Sequence, residues 1–372
     1  MLTMNPTLLV GPSDWDGARM PQEEFAARTA ALWRDQPSAG GAIVYGDRVN
    51  HAELAYLTHF TPKLEAALAL IPRAGAATLL VGGGANMLQA AKPLTFIADP
   101  RPLRDVGKTV AQWAREQGGA PVLIGGAAMP YALHREIAET LGGELADRTA
   151  ALQAQMCRKS ARELTLLREA CATLAATITA MGAAQRAGAP ATDVILAGER
   201  AANRLGVQDV RTLFSCNGGR TLQPFETAVE RALDPLQVYM AVRQFGYWAE
   251  GFAVLAASPH SCAQRASDVL RSAVERMQAG GRCGDLARGI AQAVHPLTLH
   301  PVTARVAGNA IGLALEAHPL IAAGSEESFE DGGVYSLRVG LVDQRDHAIV
   351  SVMVAVHGRG NEVLWSSPEA AG

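Results

Sequence analysis

One stripe of apolar side chains constrains this chain more than any other feature of its sequence. Its members recur at steps of three and four residues: Leu164, Leu167, Cys171, Leu174, Ile178 and Met181. This spacing places side chains on one face of an α-helix. The pattern therefore predicts a long helix after Lys159, and we expect that helix to open a second domain.

The residues before this helix are typical of an α/β domain. Apolar runs of strand length, bounded by Gly or Pro, occupy residues 42–45, 67–71, 78–81 and 122–124. Residues 131–141 have helical spacing and end at the glycine pair 142–143, as helices often do. The glycine run 82–84 lacks a following Lys and Ser or Thr, so we expect a turn there and no phosphate-binding loop.

The residues after the long helix mix helices with strands. A helix is predicted to start at Thr192 as its N-cap, and another carries Leu270, Val274 and Met277 before the glycines at 280–281. Strand candidates occupy residues 237–242, 252–256, 334–339 and 348–356. This order predicts an α+β domain whose helices cover one face of a curved antiparallel sheet. We therefore predict two domains, 1–152 and 153–372.

Composition excludes several classes of function. The 372 residues include 33 basic and 36 acidic side chains without a long run of one sign, which argues against a nucleic-acid partner. Residues 1–16 lack the pattern of a signal peptide, and no window approaches ~18 uninterrupted apolar residues, so we expect a cytoplasmic protein without a membrane partner. The five cysteines are an odd, scattered set, which predicts buried thiols and neither disulfides nor a zinc site.

Several short motifs, in order, resemble one known family. Arg158-Lys159-Ser160-Ala161-Arg162-Glu163 is similar to the start of the C-terminal domain of the creatinase and aminopeptidase P family. Further matches occur at 246–250, 308–313 with Pro319, 333–340 and, in the first domain, 53–60. The resemblance implies the pita-bread fold over nearly the whole chain, an α/β N-terminal domain before it, and a homodimer.

The residues at the family's metal-ligand positions do not match those of its peptidases. Those enzymes bind two divalent metals with two Asp, one His and two Glu. The corresponding positions here are Tyr239, Glu250, Asn309, Arg338 and, less securely aligned, Ser351. Because only Glu250 is an anion and Arg338 is a permanent cation, we expect neither metal nor any other cofactor.

Creatinase and ectoine hydrolase are members of the family that work without metal, so loss of metal does not by itself imply loss of activity. Creatinase uses a histidine in the loop that corresponds to residues 214–224, and this loop has none. Its guanidinium-binding Glu corresponds to Arg338. Creatine is therefore a poor candidate substrate, since Arg338 would attract a carboxylate and repel a guanidinium.

Candidate roles follow for the residues of the former metal site. Glu250, His318 and Glu316 are the candidate catalytic groups, as bases or proton donors. The candidate substrate-binding residues are Arg338, Arg243, Tyr239, Asn309 and Trp248. A purely structural alternative is that Glu250 and Arg338 form a charge pair that replaces the cations.

Other candidates are weaker. Cys216 could be a nucleophile near Arg220, but a packed thiol is the simpler interpretation. His295 and His300 lack a helical ligand spacing, so a metal role is not expected. His59, Phe60 and Lys63 correspond to a loop that covers the partner's site in creatinase-like dimers, where they could contact substrate or only the interface.

Three functions remain open at this stage. The leading hypothesis is a metal-independent hydrolase or lyase acting on a C–N or related bond of a small, carboxylate-bearing molecule. The second is a catalytically inactive protein that binds a small ligand or a partner through the old cleft, which Tyr239 and Trp248 could fill. The third is a metal-dependent Xaa-Pro aminopeptidase.

Overall fold

The computed structural model describes residues 14–343 and 346–368. The N-terminal segment in which no signal peptide is predicted therefore lies mostly outside the described residues. The chain divides after Met156 into two compact units. The domain boundary predicted at 152–153 falls inside the helix Thr149–Cys157.

The first unit is a five-stranded mixed sheet with helices around it. Its sheet order is β4-β3-β2-β1-β5, with β1 antiparallel to β2 and parallel to β5. The four predicted strands and the helix at 131–141 are confirmed. Its elements are α1 (Gln22–Asp35), β1 (Gly41–Gly46), α2 (Ala52–Thr58), β2 (Ala67–Pro72), β3 (Thr78–Val81), α3 (Ala85–Ala91), β4 (Arg101–Pro102), α4 (Val106–Arg115), β5 (Pro121–Ile124), α5 (Tyr131–Leu141) and α6 (Thr149–Cys157).

The second unit contains two antiparallel sheets. One has the order β6-β7-β8, and the other has the order β11-β10-β12-β13-β14 with β9 paired to β12. Its elements are α7 (Ala161–Arg186), α8 (Ala191–Arg204), β6 (Asp209–Phe214), β7 (Leu236–Gln244), β8 (Tyr247–Leu255), α9 (Ser261–Arg276), α10 (Cys283–Ala293), β9 (Thr298–Leu299), α11 (Pro301–Ala304), β10 (Gly308–Ala310), β11 (Ala317–Ile321), β12 (Gly333–Asp343), β13 (Asp346–Val356) and β14 (Glu362–Ser366).

The long helix predicted from the apolar stripe is α7. It begins with a capping box, in which Ser160 and Glu163 satisfy each other's backbone N–H groups. All six residues of the stripe are buried, and the helix packs against β7 and β8. By length and composition α7 could cross a membrane, but half of its apolar window is buried inside the protein, as in the core helix of a globular domain.

Side chains join the two sheets of the second unit. The Gln237 amide donates to the Ala253 and Ile349 carbonyls, each at 3.0 Å, and accepts from the Ile349 N–H at 2.7 Å. The Ser351 hydroxyl accepts from the Phe252 N–H at 2.8 Å. These bonds connect β7 and β8 to β13, so the inner faces of both sheets line one region.

Alternation along the strands decides which side chains enter that region. On β12, Tyr335, Leu337 and Val339 belong to the core formed with α9 and α10, so Ser336 and Arg338 lie on the opposite, inner face. On β8, the Tyr247 hydroxyl donates to Glu163 of α7 at 3.1 Å. Tyr247 therefore faces α7, and Glu250, three residues further along the strand, faces the opposite way, on the inner face of its sheet.

Two predicted helix boundaries are wrong. The helix predicted to start at Thr192 has Pro190 as its N-cap. The Thr192 hydroxyl accepts instead from the Val229 N–H of a neighbouring loop at 2.7 Å. Helix α9 ends at Arg276, ahead of the expected glycine stop, because Met277 adopts an extended conformation and its side chain is buried.

Candidate functional site

Five strands of the second unit each contribute one side chain to a buried region. These are the positions that the resemblance assigns to metal ligands, and each is less than a tenth exposed: Tyr239 on β7, Glu250 on β8, Asn309 on β10, Arg338 on β12 and Ser351 on β13. Arg338 and Ser351 are directly opposite each other in the β12 and β13 pairing. The structure thus brings together side chains that lie up to about a hundred residues apart in sequence.

Four of these side chains form a hydrogen-bonded group, here called the Glu250 cluster: Tyr239, Glu250, Asn309 and Arg338. The Tyr239 hydroxyl donates to Oε2 of Glu250 at 2.7 Å. Arg338 Nη1 lies 3.4 Å from Oε1 of Glu250 and donates to Oδ1 of Asn309 at 3.2 Å. Both carboxylate oxygens of Glu250 therefore already have partners.

The backbone around β10 fixes the orientation of Asn309. Its amide nitrogen donates to the carbonyls of Ala310 at 2.9 Å and Leu315 at 3.1 Å. These two acceptors leave the amide oxygen turned toward Arg338. At this position a histidine would offer a lone pair to a metal, whereas Asn309 offers an oxygen to a guanidinium.

Electrostatics keep Tyr239 protonated. Burial, followed by the negative charge of Glu250 and the hydrogen bond to it, raises the pKa of the Tyr239 hydroxyl well above its usual range. The positive charges of Arg338 and Arg211 oppose this shift. Tyr239 is consequently a hydrogen-bond donor to Glu250 at any ordinary pH.

Two hydrogen-bond donors on the inner face of β12 have no acceptor. Among the described residues, neither Nε of Arg338 nor the Ser336 hydroxyl has a hydrogen-bond partner, although both atoms are buried. The two residues are two positions apart on one strand and so share a face. Unpaired buried donors are costly, at about 1–3 kcal/mol each, and an anionic oxygen placed here would satisfy them.

The inner face of β6, β7 and β8 has three cross-strand rows. The first row contains Asp209, Arg243 and Trp248, the second Arg211, Ala241 and Glu250, and the third Leu213, Tyr239 and Phe252. Including Arg338 from the other sheet, three guanidinium groups face two carboxylates. These five side chains, here called the former metal region together with the Glu250 cluster, therefore carry one net positive charge.

Trp248 supports two of these arginines. The guanidinium carbons of Arg211 and Arg243 lie 4.6 Å and 5.6 Å from the centre of its ring system, within the range of cation–π contacts. Trp248 and Arg243 are both buried, while the Arg211 side chain is 56% exposed. Burial lowers the pKa of Arg243, and Asp209 acts in the opposite direction.

The two other candidate catalytic residues do not join the Glu250 cluster. Glu316 and His318 are exposed at the β11 end of the sheet. His318 Nδ1 lies 3.1 Å from a carboxylate oxygen of Glu327, and both side chains are at least half exposed. The local chain explains the difference, because the pairing of β10 with β11 shifts register between Asn309 and Ala310.

The remaining candidates of this unit do not belong to the Glu250 cluster. Cys216 is half-buried, with its carbonyl accepting from Arg231 at 3.0 Å, and the other four cysteines are buried as expected. His300 is buried, and its Nε2 lies 3.1 Å from the Gly219 carbonyl. His295 is exposed.

In the first unit, the three candidate residues contact their own unit. His59 Nδ1 lies 3.1 Å from the Leu94 carbonyl, and burial lowers the pKa of His59. Phe60 is buried. Lys63 lines a shallow groove together with Phe60, Met87 and Leu94, and burial lowers its pKa as well.

The donor set of the former metal site does not fit two divalent ions. A phenol whose pKa is raised, an amide, a hydroxyl and one carboxylate supply a single negative charge. The fifth side chain, Arg338, lies 3.4 Å from that carboxylate and adds a positive charge. Within residues 14–343 and 346–368, no group of three or more His, Cys, Asp or Glu side chains could hold a metal ion.

Comparison with solved structures identifies the architecture. The chain resembles dipeptidase PepE from Mycobacterium ulcerans, with a TM-score of 0.73 at 18% identity over 96% of this chain and 98% of that one. It also resembles the prolidase from Pyrococcus horikoshii, with a TM-score of 0.73 at 14% identity over 93% and 99% of the two chains. The chain has the pita-bread fold. No family model and no curated protein matches its sequence.

The X-Pro aminopeptidase from Thermotoga maritima is a third pita-bread structure of this kind, with a TM-score of 0.72 at 14% identity over 91% and 99% of the two chains. The predicted pita-bread fold and α/β N-terminal unit are thus confirmed. At these identities the likeness establishes the fold, while the chemistry must be argued from the side chains of the Glu250 cluster.

Sequence reasoning missed two residues of this site, Arg211 and Ser336. Ser336 could have been found from the strand period, since it precedes Arg338 by two residues on a predicted strand. Arg211 could not, because β6 was not predicted: its sequence, Asp209-Val210-Arg211-Thr212-Leu213-Phe214, carries only a weak apolar alternation.

Proposed function

We propose that this chain is a metal-independent pita-bread protein that binds a small carboxylate-bearing molecule at Arg338. The observation that carries the proposal is the pair of unpartnered donors, Arg338 Nε and the Ser336 hydroxyl, on one face of β12. A carboxylate has two oxygens that could accept from both. The net positive charge of the region favours an anion over a cation.

The Glu250 cluster supports a binding role in a second way. Arg338 is held by Glu250 on one side and by Asn309 on the other, so its guanidinium is oriented before any ligand arrives. A pre-oriented guanidinium loses little conformational entropy on binding a carboxylate. A guanidinium ligand such as creatine is disfavoured by the charge of Arg338.

Hydrolysis of a C–N bond in that ligand is the second candidate function. It is favoured by the fold, since the similar structures are named as dipeptidase, prolidase and aminopeptidase. A ligand carboxylate at Arg338 would compete with Glu250 for the guanidinium, and the displaced Glu250 could then accept a proton from water. Glu316 and His318 are too exposed to be the first choice for this role.

The test is a ligand screen followed by a product screen. Ligand-detected NMR on N-acyl amino acids, amidino acids and dipeptides would identify carboxylates that bind, and mass spectrometry of the same mixtures would detect cleavage. We expect binding by carboxylates, weaker binding of their amides, and loss of binding in Arg338→Gln. Equal binding of a carboxylate and its amide would contradict the proposal.

Folding of the variant must be checked separately. Arg338→Lys keeps the charge but not the forked geometry, so we expect it to fold and to bind carboxylates more weakly than the unchanged protein. Cleavage of a bound molecule that persists in Glu250→Gln would exclude Glu250 as the base while leaving the binding proposal in place.

Homodimer formation and a cytoplasmic location belong to the same proposal. Both are inferred from the resemblance to creatinase-like proteins and from the composition of the chain. Sedimentation velocity of the full chain would test the dimer, and a single species with the mass of one chain would contradict it.

A further inference from the structure

The positive charge of the former metal region lies in two places, on the inner face of β12 and on the inner face of β6. Arg338 lies at one of them and is paired with Glu250. Arg211 lies at the other, in the same cross-strand row as Glu250, with only Ala241 between them. Because neighbouring strands are about 4.8 Å apart, the backbones at Arg211 and Glu250 are separated by roughly 10 Å.

Arg211 has the properties of an anion-binding side chain. Its guanidinium carbon lies 4.6 Å from the centre of the Trp248 ring system, within the range of a cation–π contact. More than half of the side chain is exposed, and its nearest carboxylate, Asp209, is 3.8 Å from Nε. Among the described residues its two η nitrogens make no other ion pair.

Asp209 does not neutralise this end of the face by itself. It serves both Arg211, at 3.8 Å, and Arg243, whose pKa it raises against the effect of burial. Asp209 therefore acts on both guanidinium groups that contact Trp248. The charges of Arg211 and Arg338 both act on the Tyr239 hydroxyl and oppose the rise of its pKa.

From this arrangement we infer that Arg211, supported by Trp248, forms a second anion subsite, so that the molecule bound at Arg338 carries two anionic groups. This inference rests on the proposed function, since it assigns Arg338 to the first anionic group. A dicarboxylate is the simplest molecule of this class.

The inference can be tested by calorimetry on the full chain with matched acids. The dicarboxylates succinate, glutarate, adipate and pimelate are compared with butyrate, pentanoate, hexanoate and heptanoate, the monocarboxylates of equal carbon number. We expect the dicarboxylate of suitable length to bind about tenfold tighter than its matched monocarboxylate, as one added charge-assisted contact provides. The advantage should shrink as salt is added.

Variants separate the two subsites. Arg211→Gln should bring the ratio of the two affinities to about 1, because the dicarboxylate loses its second contact, and Arg338→Gln should weaken both acids. Arg204→Gln, at an exposed arginine near the end of α8, is the matched control and should keep the ratio. Because Arg211 is mostly exposed, its replacement should not prevent folding.

The outcomes distinguish this inference from the proposed function. If the unchanged protein binds both acids equally, or if Arg211→Gln keeps the dicarboxylate advantage, the second subsite is wrong while carboxylate binding at Arg338 stands. If neither type of acid binds, the proposed function itself fails and the inference fails with it.

Discussion

Arg338 and Glu250 face each other at 3.4 Å, and each side chain is nine-tenths or more buried. Two charges in such surroundings are tolerated because each neutralises the other, and because Tyr239 adds a hydrogen bond to Glu250 and Asn309 accepts one from Arg338. At the scale of single residues, the positions that the resemblance assigns to metal ligands thus hold an internal cation and its partners. The exchange makes each member of the Glu250 cluster depend on the others.

Removing only the cation should be strongly destabilising. In Arg338→Met the Glu250 carboxylate stays buried without a positive partner, so we expect the free energy of unfolding to fall by about 3–5 kcal/mol. Urea unfolding followed by tryptophan fluorescence would measure this. The double variant with Glu250→Gln should recover a large part of the loss, and a double variant as unstable as the single one would show that charge is not the cause.

Removing the phenol should have a smaller effect. Tyr239→Phe deletes a 2.7 Å hydrogen bond to a charged acceptor, for which we expect a loss of about 1.5–3 kcal/mol. Tyr131→Phe is the matched control, because Tyr131 is 75% exposed and its hydroxyl should contribute nothing measurable. Equal unfolding free energies for the two variants would contradict the role given to Tyr239.

At the scale of elements, α11 and the loop after β6 are held together by one histidine. His300 Nδ1 accepts from the Val302 N–H at 3.2 Å and Nε2 lies 3.1 Å from the Gly219 carbonyl. This pattern requires neutral His300 with its proton on Nε2. Protonation of Nδ1 would remove the acceptor that caps α11.

Acid should therefore weaken this connection. Burial, and secondarily the neighbouring His347, lowers the pKa of His300 in the folded chain. With a folded pKa below the unfolded value of about 6.5, the contribution to stability is complete above pH ~6.5 and is lost as pH falls through the folded value. Unfolding measured from pH 8 to pH 5 should show a steeper decline than in His300→Gln.

The exposed His295 provides the control for that experiment. His295→Gln should leave the dependence of stability on pH unchanged. If both variants alter the decline equally, or neither does, the effect does not come from the cap of α11.

Elements with strong local patterns could be predicted from the sequence. The stripe of α7 and the apolar runs of β1, β2, β3 and β5 follow periods that the fold preserves. Helix α9 and the start of α8 were misplaced by one or a few residues, because a proline and a buried methionine outweighed the cap residues. Strand β6 was missed, since its pairing with β7 is a tertiary contact that no local pattern encodes.

The site residues, too, could be predicted only where the sequence itself carries a pattern, and not where a tertiary contact decides their position. Tyr239, Glu250, Asn309 and Arg338 could be found together only through the order of motifs along the chain. His318 could not be placed from sequence, because a register shift beside β10 decides whether it points inward. Its contact with Glu327 is the result.

At the scale of the whole molecule, the fold and the side chains of the former metal region depend on different parts of the sequence. The pita-bread fold extends over nearly the full length of the similar peptidase structures, while four of the five positions that the resemblance assigns to metal ligands carry neither a carboxylate nor an imidazole. The strands that hold these positions are stabilised by the bonds of Gln237 and Ser351 between the sheets. We therefore expect the fold to close without metal.

This independence predicts how metal and protein should respond to each other. Chain incubated with manganese, cobalt or zinc and then desalted should retain no stoichiometric metal by native mass spectrometry. About two ions per chain would overturn the assignment of the ligand positions and restore the aminopeptidase hypothesis.

Metal binding should return only when the internal cation is removed. The variant Tyr239→Asp, Asn309→His, Arg338→Glu, Ser351→Glu keeps Glu250 and supplies the hard oxygen and imidazole donors that such ions prefer. We expect manganese to raise its melting temperature, because the ions would neutralise carboxylates that otherwise repel one another. The triple variant that retains Arg338 is the control, and an equal response of both variants would show that the guanidinium does not take the place of the metal ions.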